Sequence, residues 1–362
     1  MAVLTSCGGS GNSNTGAAIP LSYAKLLKVE QYDSYRLVTV SDPWKAGAVL
    51  HRYALVPREN VEPSDLPSEV TVLRVPLKNL CVSTSVHAAL MYKLGALDYA
   101  GSICEGKYIL TPAVRAQIKS GRIRDVGSGL NPNVEMIAEL RTEALLMSPF
   151  EGASYGLLEK TGIPIVECAD YMEASALGRA EWMKFYGMLV GREAEADSLF
   201  SEVANNYEIL RSKVQTSDSK CPKLLADMLN GSTWYLPGGS SVYGVLYKDA
   251  GADFSIASPG AKGSQPLSLE KILLEARDAD VWIIKYSRQQ DYTYASLFQE
   301  NSVYGDFSAF RQRRVFGCNT MFVPFYEEAP FRPDWLLGDI VSVLHPELTP
   351  GYQRMFYKEL KN

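Results

Sequence analysis

Two acids, Glu135 and Glu270, each stand two residues after a helix-capping residue, Asn133 and Ser268. An acid in a helix's first turn complements the positive end of its dipole by about 0.3–1 kcal/mol. A second group of residues is aromatic. Trp234 and Tyr235 lead into Pro237-Gly238-Gly239, and Tyr243, Tyr286, Phe325 and Tyr326 follow near other strand ends. Aromatic faces suit flat or bulky ligands, although a core position is as common for any one ring. Trp234 is the strongest single candidate, because the glycine-rich turn offers no strand face to bury it. Catalytic groupings are not evident. His51, His87 and His345 are isolated, which argues against a metal-dependent hydrolase. Ser83-Thr84-Ser85 lacks a Gly-x-Ser-x-Gly elbow, and Gly127-Ser128-Gly129 has no following Gly-Lys-Ser/Thr. Cys81, Cys104, Cys168, Cys221 and Cys318 show no CxxC or metal spacing, so neither an enzyme nor a zinc or disulfide framework is expected.

These residues need elements to position them. Leu77 to Val82 reads as a strand, Val86 to Leu94 as a helix capped by Ser85 and stopped by Gly95, and Ala100 to Cys104 as the next strand. That order is a βαβ unit and implies a parallel sheet. The helix at Glu135 leads to a buried strand at 144–147, and the helix at Glu270 to another at 280–284, which indicates two lobes of like architecture. Between them, 172–190 and 193–214 carry helical spacing around Gly191. A helix keeps its backbone hydrogen bonds internal and resists bending, so it would hold the lobes nearly fixed. The expected fold is α/β: two Rossmann-like lobes with parallel central sheets, joined by one long helix. The N-terminal lobe spans 22–171, with an added β-hairpin at about 35–56 on its edge. The linking helix spans 172–197, the C-terminal lobe 198–342 and a terminal segment 343–362.

The 362 residues, 46% hydrophobic and 21% charged with a net charge of −5, fit two folded domains and show no basic stripe, so nucleic acid is not an expected partner. No apolar run reaches the roughly 18–20 residues that span a bilayer. Leu4-Thr5-Ser6-Cys7 resembles a bacterial lipobox, and a Gly-, Ser- and Asn-rich tether follows it up to residue 21. Cys7 is therefore the expected lipidation site and membrane anchor, the basic and apolar signal regions having been trimmed ahead of it.

Five stretches in order carry a family resemblance. They are Val75 to Ala96; Asp125-Val126-Gly127 leading to Glu135; Trp234 to Ser240 with Asp249-Ala250-Gly251-Ala252; Leu269-Glu270 with Asp278 to Trp282; and Arg332-Pro333-Asp334-Trp335 with His345-Pro346-Glu347. Over Val72 to Glu347 the chain resembles the helix-linked, class III periplasmic substrate-binding proteins of iron–siderophore, haem and cobalamin ABC importers. It departs from them at Arg141-Thr142-Glu143, where Lys-Pro-Asp is usual, and in the extra hairpin. The resemblance implies a periplasmic, lipid-anchored protein that captures a bulky metal chelate between its lobes and hands it to a homodimeric permease with its ATPase. Such a protein carries no cofactor of its own, the metal coming with the ligand. Glu135 and Glu270 would dock on the permease. Ligand contacts would come from Ser83, Thr84, His87, Tyr108, Phe150, Tyr155 and Tyr171, and from Trp234, Tyr235, Tyr243, Tyr286, Arg288, Phe325 and Tyr326, at strand ends facing the cleft. His87 would be the ligand to a haem iron, although a cap or core place is commoner for such a histidine. A haem importer component and a surface binding protein outside transport are the alternative readings.

Overall fold

The computed structural model describes residues 16–64, 66–152 and 154–362; Cys7 lies outside them. Two parallel sheets form the lobes. In the first, strands run in the order Ile165–Glu167, Ala144–Met147, Leu80–Val82, Ala100–Ile103, Arg124–Asp125, all parallel. The second holds Leu224–Ala226, Val281–Tyr286 and Val315–Asn319 in parallel, with Lys358–Glu359 added antiparallel at the edge. The terminal segment thus returns to the second lobe. Buried Asp339 holds it there by accepting from the backbone N–H groups of Met355, Phe356 and Tyr357. The first βαβ helix runs Ser85–Lys93, and its N-cap is Thr84, one residue ahead of the expected Ser85.

The N-terminal addition is larger than a hairpin. Arg36–Ser41 and Val49–Pro57 do pair, but Ala17–Ile19, Leu27–Gln31 and Val70–Val75 complete a five-stranded sheet. Ala17–Ile19 is only three residues long, too short for a period to show in the sequence. Two buried carboxylates fasten this sheet. Glu181 accepts from the N–H groups of Ser22, Tyr23 and Ala24, and Glu173 from those of Lys25 and Leu26 and from the Trp182 indole.

Helical structure fills 176–215, but in three segments rather than one rod: Ala176–Glu181, Met183–Val190 and Glu193–Gln215. Ser175 caps the first by accepting from the Gly178 N–H, which places the helix start beyond Met172. Gly191 adopts a left-handed conformation, φ 64°, and turns the chain. The last two segments fold back together, and a Cβ at Gly187 would lie 2.6 Å from that of Ala196. The expected boundary at 197 therefore falls inside a continuous helix. The largest apolar core is shared: Val38 of the added sheet, Leu80 of the first lobe, Trp182 and Phe185 of the connector and Trp282 of the second lobe belong to one buried cluster.

A second tie crosses between the lobes. The segment 325–332 of the second lobe lies against the first helix of the other. Glu327, 4% exposed, accepts from the N–H groups of Leu110 and Thr111, at 2.5 and 2.8 Å, and from the Thr111 hydroxyl. It fixes the two residues ahead of the helix Pro112–Lys119, which has no cap from its own Thr111 side chain. Beside it Lys93 and Glu328 pair at 2.6 Å, and Phe331 packs on His87 and Tyr186. Replacing Glu327 by Ala would leave the two buried Thr111 donors and the half-buried Leu110 N–H without that acceptor, each buried donor costing about 1–3 kcal/mol. Glu327→Ala should lower stability in chemical denaturation by about 3 kcal/mol; an unchanged midpoint and slope would show that the tie carries no load.

Candidate functional site

The C-terminal strand ends of both lobes open on cavities. On the first lobe, a cavity of about 460 Å³ is lined by Ser83, Thr84, Phe150 and Tyr155. Exposed Leu130, Phe150 and Leu157 rim it, and exposed Glu105 is its charged group. On the second lobe, an open cavity of about 610 Å³ is lined by Tyr235, Tyr286, Arg288, Tyr292 and Tyr326. Between the lobes, beside the connector, lies a cavity of about 430 Å³. Tyr171, Glu173 and Arg179 form one wall, Tyr243, Lys285 and Tyr326 the other, and Pro43 of the added sheet reaches its edge. The last two cavities share Asp227, Ser264, Lys285 and Tyr326, so they adjoin.

Ten of the fourteen expected contacts line these cavities: Ser83, Thr84, Phe150, Tyr155, Tyr171, Tyr235, Tyr243, Tyr286, Arg288 and Tyr326. Four do not. Trp234 belongs to the strand Thr233–Pro237, whose inner face buries it completely. Its indole N–H donates to the Ala226 carbonyl at 2.8 Å, and its ring packs on Trp282, Tyr304 and Phe307. Strand alternation turns its neighbour Tyr235 outward instead. Phe325 is buried beneath Tyr243. Tyr108 is 64% exposed and lies outside the three cavities.

His87 is the fourth, and its burial is structural. Its Nε2 lies 3.0 Å from Asp170, its Nδ1 2.6 Å from the Thr84 hydroxyl, and Tyr186 and Phe331 cover the ring. Hydroxyl, imidazole and carboxylate thus stand in a hydrolase-like order. The imidazole is only 2% exposed, however, and Thr84 also serves as helix cap. The network positions the Ser83-Thr84 loop against the connector. Burial opposes the Asp170 charge, but His87, Arg179 and the Tyr186 hydroxyl outweigh it and bring its carboxyl down to about 2.

Sequence reading missed Tyr292, Lys285 and Asp227. The Arg288 guanidinium lies 4.2 Å over the Tyr292 ring and pairs with Glu300 at 3.2 Å. Lys285 sits near the end of a strand whose earlier residues are fully buried, so its side chain turns inward to the cavity floor, where Asp227 meets it at 2.5 Å. Burial disfavours the ammonium, yet Asp227 holds its pKa above the ordinary lysine range. Burial also pushes the Tyr286 phenol up to about 12. Among the described residues, no group of three or more His, Cys, Asp or Glu is placed to hold a metal. The walls offer rings, hydroxyls and paired charges, which is equipment for holding a solute.

Glu135 and Glu270 lie outside the cavities, both exposed, each at the second position of its helix, Val134–Glu139 and Leu269–Ala276. Asn133 and Ser268 cap these helices in the same manner. Hydrogen bonds from its own backbone N–H and from Ser268 lower the Glu270 pKa.

A profile of the periplasmic binding protein family matches residues 105–320. An uncharacterised lipoprotein of Methanocaldococcus jannaschii is 27% identical, with 93% of this chain and 84% of that protein covered. Among solved structures, a periplasmic haem-binding protein from Pseudomonas aeruginosa superposes with a TM-score of 0.60 at 17% identity, covering 79% of this chain and 99% of that one. An Fe3+-hydroxamate transport protein from Saccharomonospora viridis gives 0.57 at 17% identity, over 75% and 94%. The added N-terminal strands lie ahead of the family match.

Asp170 should contribute to stability where it is ionised in both states. Its folded pKa lies below the ordinary 3.8, so the contribution is full above about pH 4 and fades as pH falls through 2. Asp170→Asn should cost about 3 kcal/mol in chemical denaturation at pH 7, with the gap from the unaltered protein closing in acid. An undiminished gap at pH 2 would contradict the ionised network.

Proposed function

The chain belongs to the periplasmic binding protein family, solute-binding proteins of ABC importers, and on that premise we propose that it captures a bulky metal chelate, a ferric siderophore or a corrinoid, for delivery to a permease. The observation that carries this reading is the cavity between the lobes, walled by Tyr171 and Arg179 on one side and Tyr243 and Tyr326 on the other. It adjoins the open cavity of the second lobe, with which it shares Asp227, Ser264, Lys285 and Tyr326. Several hundred Å³ with aromatic walls suits a ligand larger than an amino acid or a bare ion. The metal would arrive inside its chelate. Haem is less favoured, because both nitrogens of His87 are already engaged and its ring is covered. Intrinsic fluorescence titration with ferric siderophores and cobalamin should show reversible quenching at micromolar concentration or below, without chemical change of the ligand. Tyr326→Ala should weaken binding about fivefold or more, since an aromatic contact buried by the ligand is worth about 1 kcal/mol. No binding across such a panel would remove the chelate assignment and leave the family membership standing.

Delivery would use Glu135 and Glu270. A homodimeric permease with its ATPase presents two equivalent docking sites, and the two lobes offer equivalent acids at matched helix starts. The protein would work outside the cytoplasm, held to a membrane by lipid on Cys7. The lipoprotein name of the archaeal relative supports this anchor. With both acids changed to Lys, ligand affinity should stay as it was while uptake through the cognate permease is abolished, because like charges meet across the dock. A single reversal should give intermediate uptake. Normal transport by the double variant would reduce these residues to helix-dipole acids.

A further inference from the structure

Asp227 is a strained point on the cleft floor. It follows the strand Leu224–Ala226 and has φ 64°, a left-handed conformation that a non-glycine residue seldom adopts outside sites where the surroundings enforce it. Two bonds enforce it here. Its N–H donates to the Ile283 carbonyl at 2.8 Å, and its own carbonyl accepts from the Trp282 indole at 2.7 Å. Held this way, its carboxylate meets the Lys285 ammonium at 2.5 Å, with the Tyr243 and Phe325 ring centroids 5.5 and 5.8 Å from that ammonium. The two side chains are only 14% and 19% exposed and border both the cavity between the lobes and the one beside it.

The other cations around these cavities are mostly committed too. Arg288 is bound to Glu300 and stacked on Tyr292, and Arg179 donates to Asp170 at 3.0 Å. Lys262 remains, exposed on the rim where water screens it. The first lobe's cavity adds only an acid, Glu105. An anionic ligand entering this cleft would find the ammonium on its floor already neutralised and would face the Asp227 carboxylate. A charge brought out of water without a partner is costly. An uncharged ligand leaves the pair intact. Lys285 has three N–H donors and the pair uses one, so donors remain for a ligand carbonyl or hydroxamate oxygen.

We propose that Asp227 and Lys285 form a charge-balanced pair that sets the specificity of the cleft for metal chelates of zero net charge and rejects polyanionic ones. The inference rests on the chelate-binding reading and names the ligand class within it. The test compares the purified protein's affinity for an uncharged ferric trihydroxamate with that for a trianionic ferric tris-catecholate, by fluorescence titration. The unaltered protein should prefer the uncharged complex by about tenfold or more. Asp227→Asn keeps the shape and tolerates the left-handed backbone, and it frees the ammonium. It should raise affinity for the trianion about tenfold and narrow or reverse the preference. Lys285→Gln leaves the acid alone and should move the preference the opposite way, which keeps the test decisive if either variant folds poorly. A preference for the trianion in the unaltered protein, or ratios unchanged in both variants, would overturn the pair's role while leaving chelate binding in place. Binding of neither complex nor of cobalamin would overturn both readings together.

Discussion

A carboxylate buried against backbone N–H groups fastens each junction of this molecule. Glu181 and Glu173 hold the segment that leads into the added sheet, Asp339 holds the C-terminal segment, and Glu327 joins the two lobes. The described cysteines are all free, so no disulfide among them does this work. Charge-assisted bonds of this kind are about twice as strong as neutral ones, and an acid that loses its donors, or donors that lose their acid, leave buried groups unsatisfied. That asymmetry makes each junction specific. A sequence that slipped by one residue would bury the same carboxylate without its partners.

The cleft inherits its shape from two of these junctions. Glu173 sits on the wall of the cavity between the lobes while its oxygens bind Lys25 and Leu26, so the added sheet and the cavity wall share a residue. Tyr326, on the opposite wall, is the residue before Glu327, so the ring that lines the cavity adjoins the carboxylate that ties the lobes. A helical connector turned at Gly191 and a core shared among lobes, connector and added sheet complete a frame with little freedom to hinge. A binding protein built this way pre-forms its site, which lowers the ordering cost of capture.

Much of this was legible in the sequence. Strand–helix alternation after residue 77 and the matched blocks at Glu135 and Glu270 gave two parallel-sheet lobes, because apolar runs between caps have few other solutions. The place of most of the cavity-lining aromatic residues also followed from their position after strand ends. The misses share one cause: a side chain's direction depends on strand register and tertiary partners that local composition does not encode. Trp234 looked like a loop residue beside two glycines, yet antiparallel pairing of 233–237 with Ser264–Leu267 turned it into the core and sent Tyr235 outward. Lys285 lay hidden in an apolar strand, and Asp227 gave no signal because its role depends on a backbone conformation set by contacts with Ile283 and Trp282. Glu327 reads locally as a surface acid, and its partners are 216 and 217 residues away.

The central claim is that a solute is held between two lobes that are already latched. Hydrogen–deuterium exchange of the free protein and of the protein saturated with a bound ferric chelate tests it directly. The account predicts new protection on both walls, at 171–179 and at 326–336, with the amides of Leu110 and Thr111 equally protected in both states because Glu327 holds them throughout. Protection confined to one of these walls, or amides of Leu110 and Thr111 that become protected only when ligand is present, would contradict it.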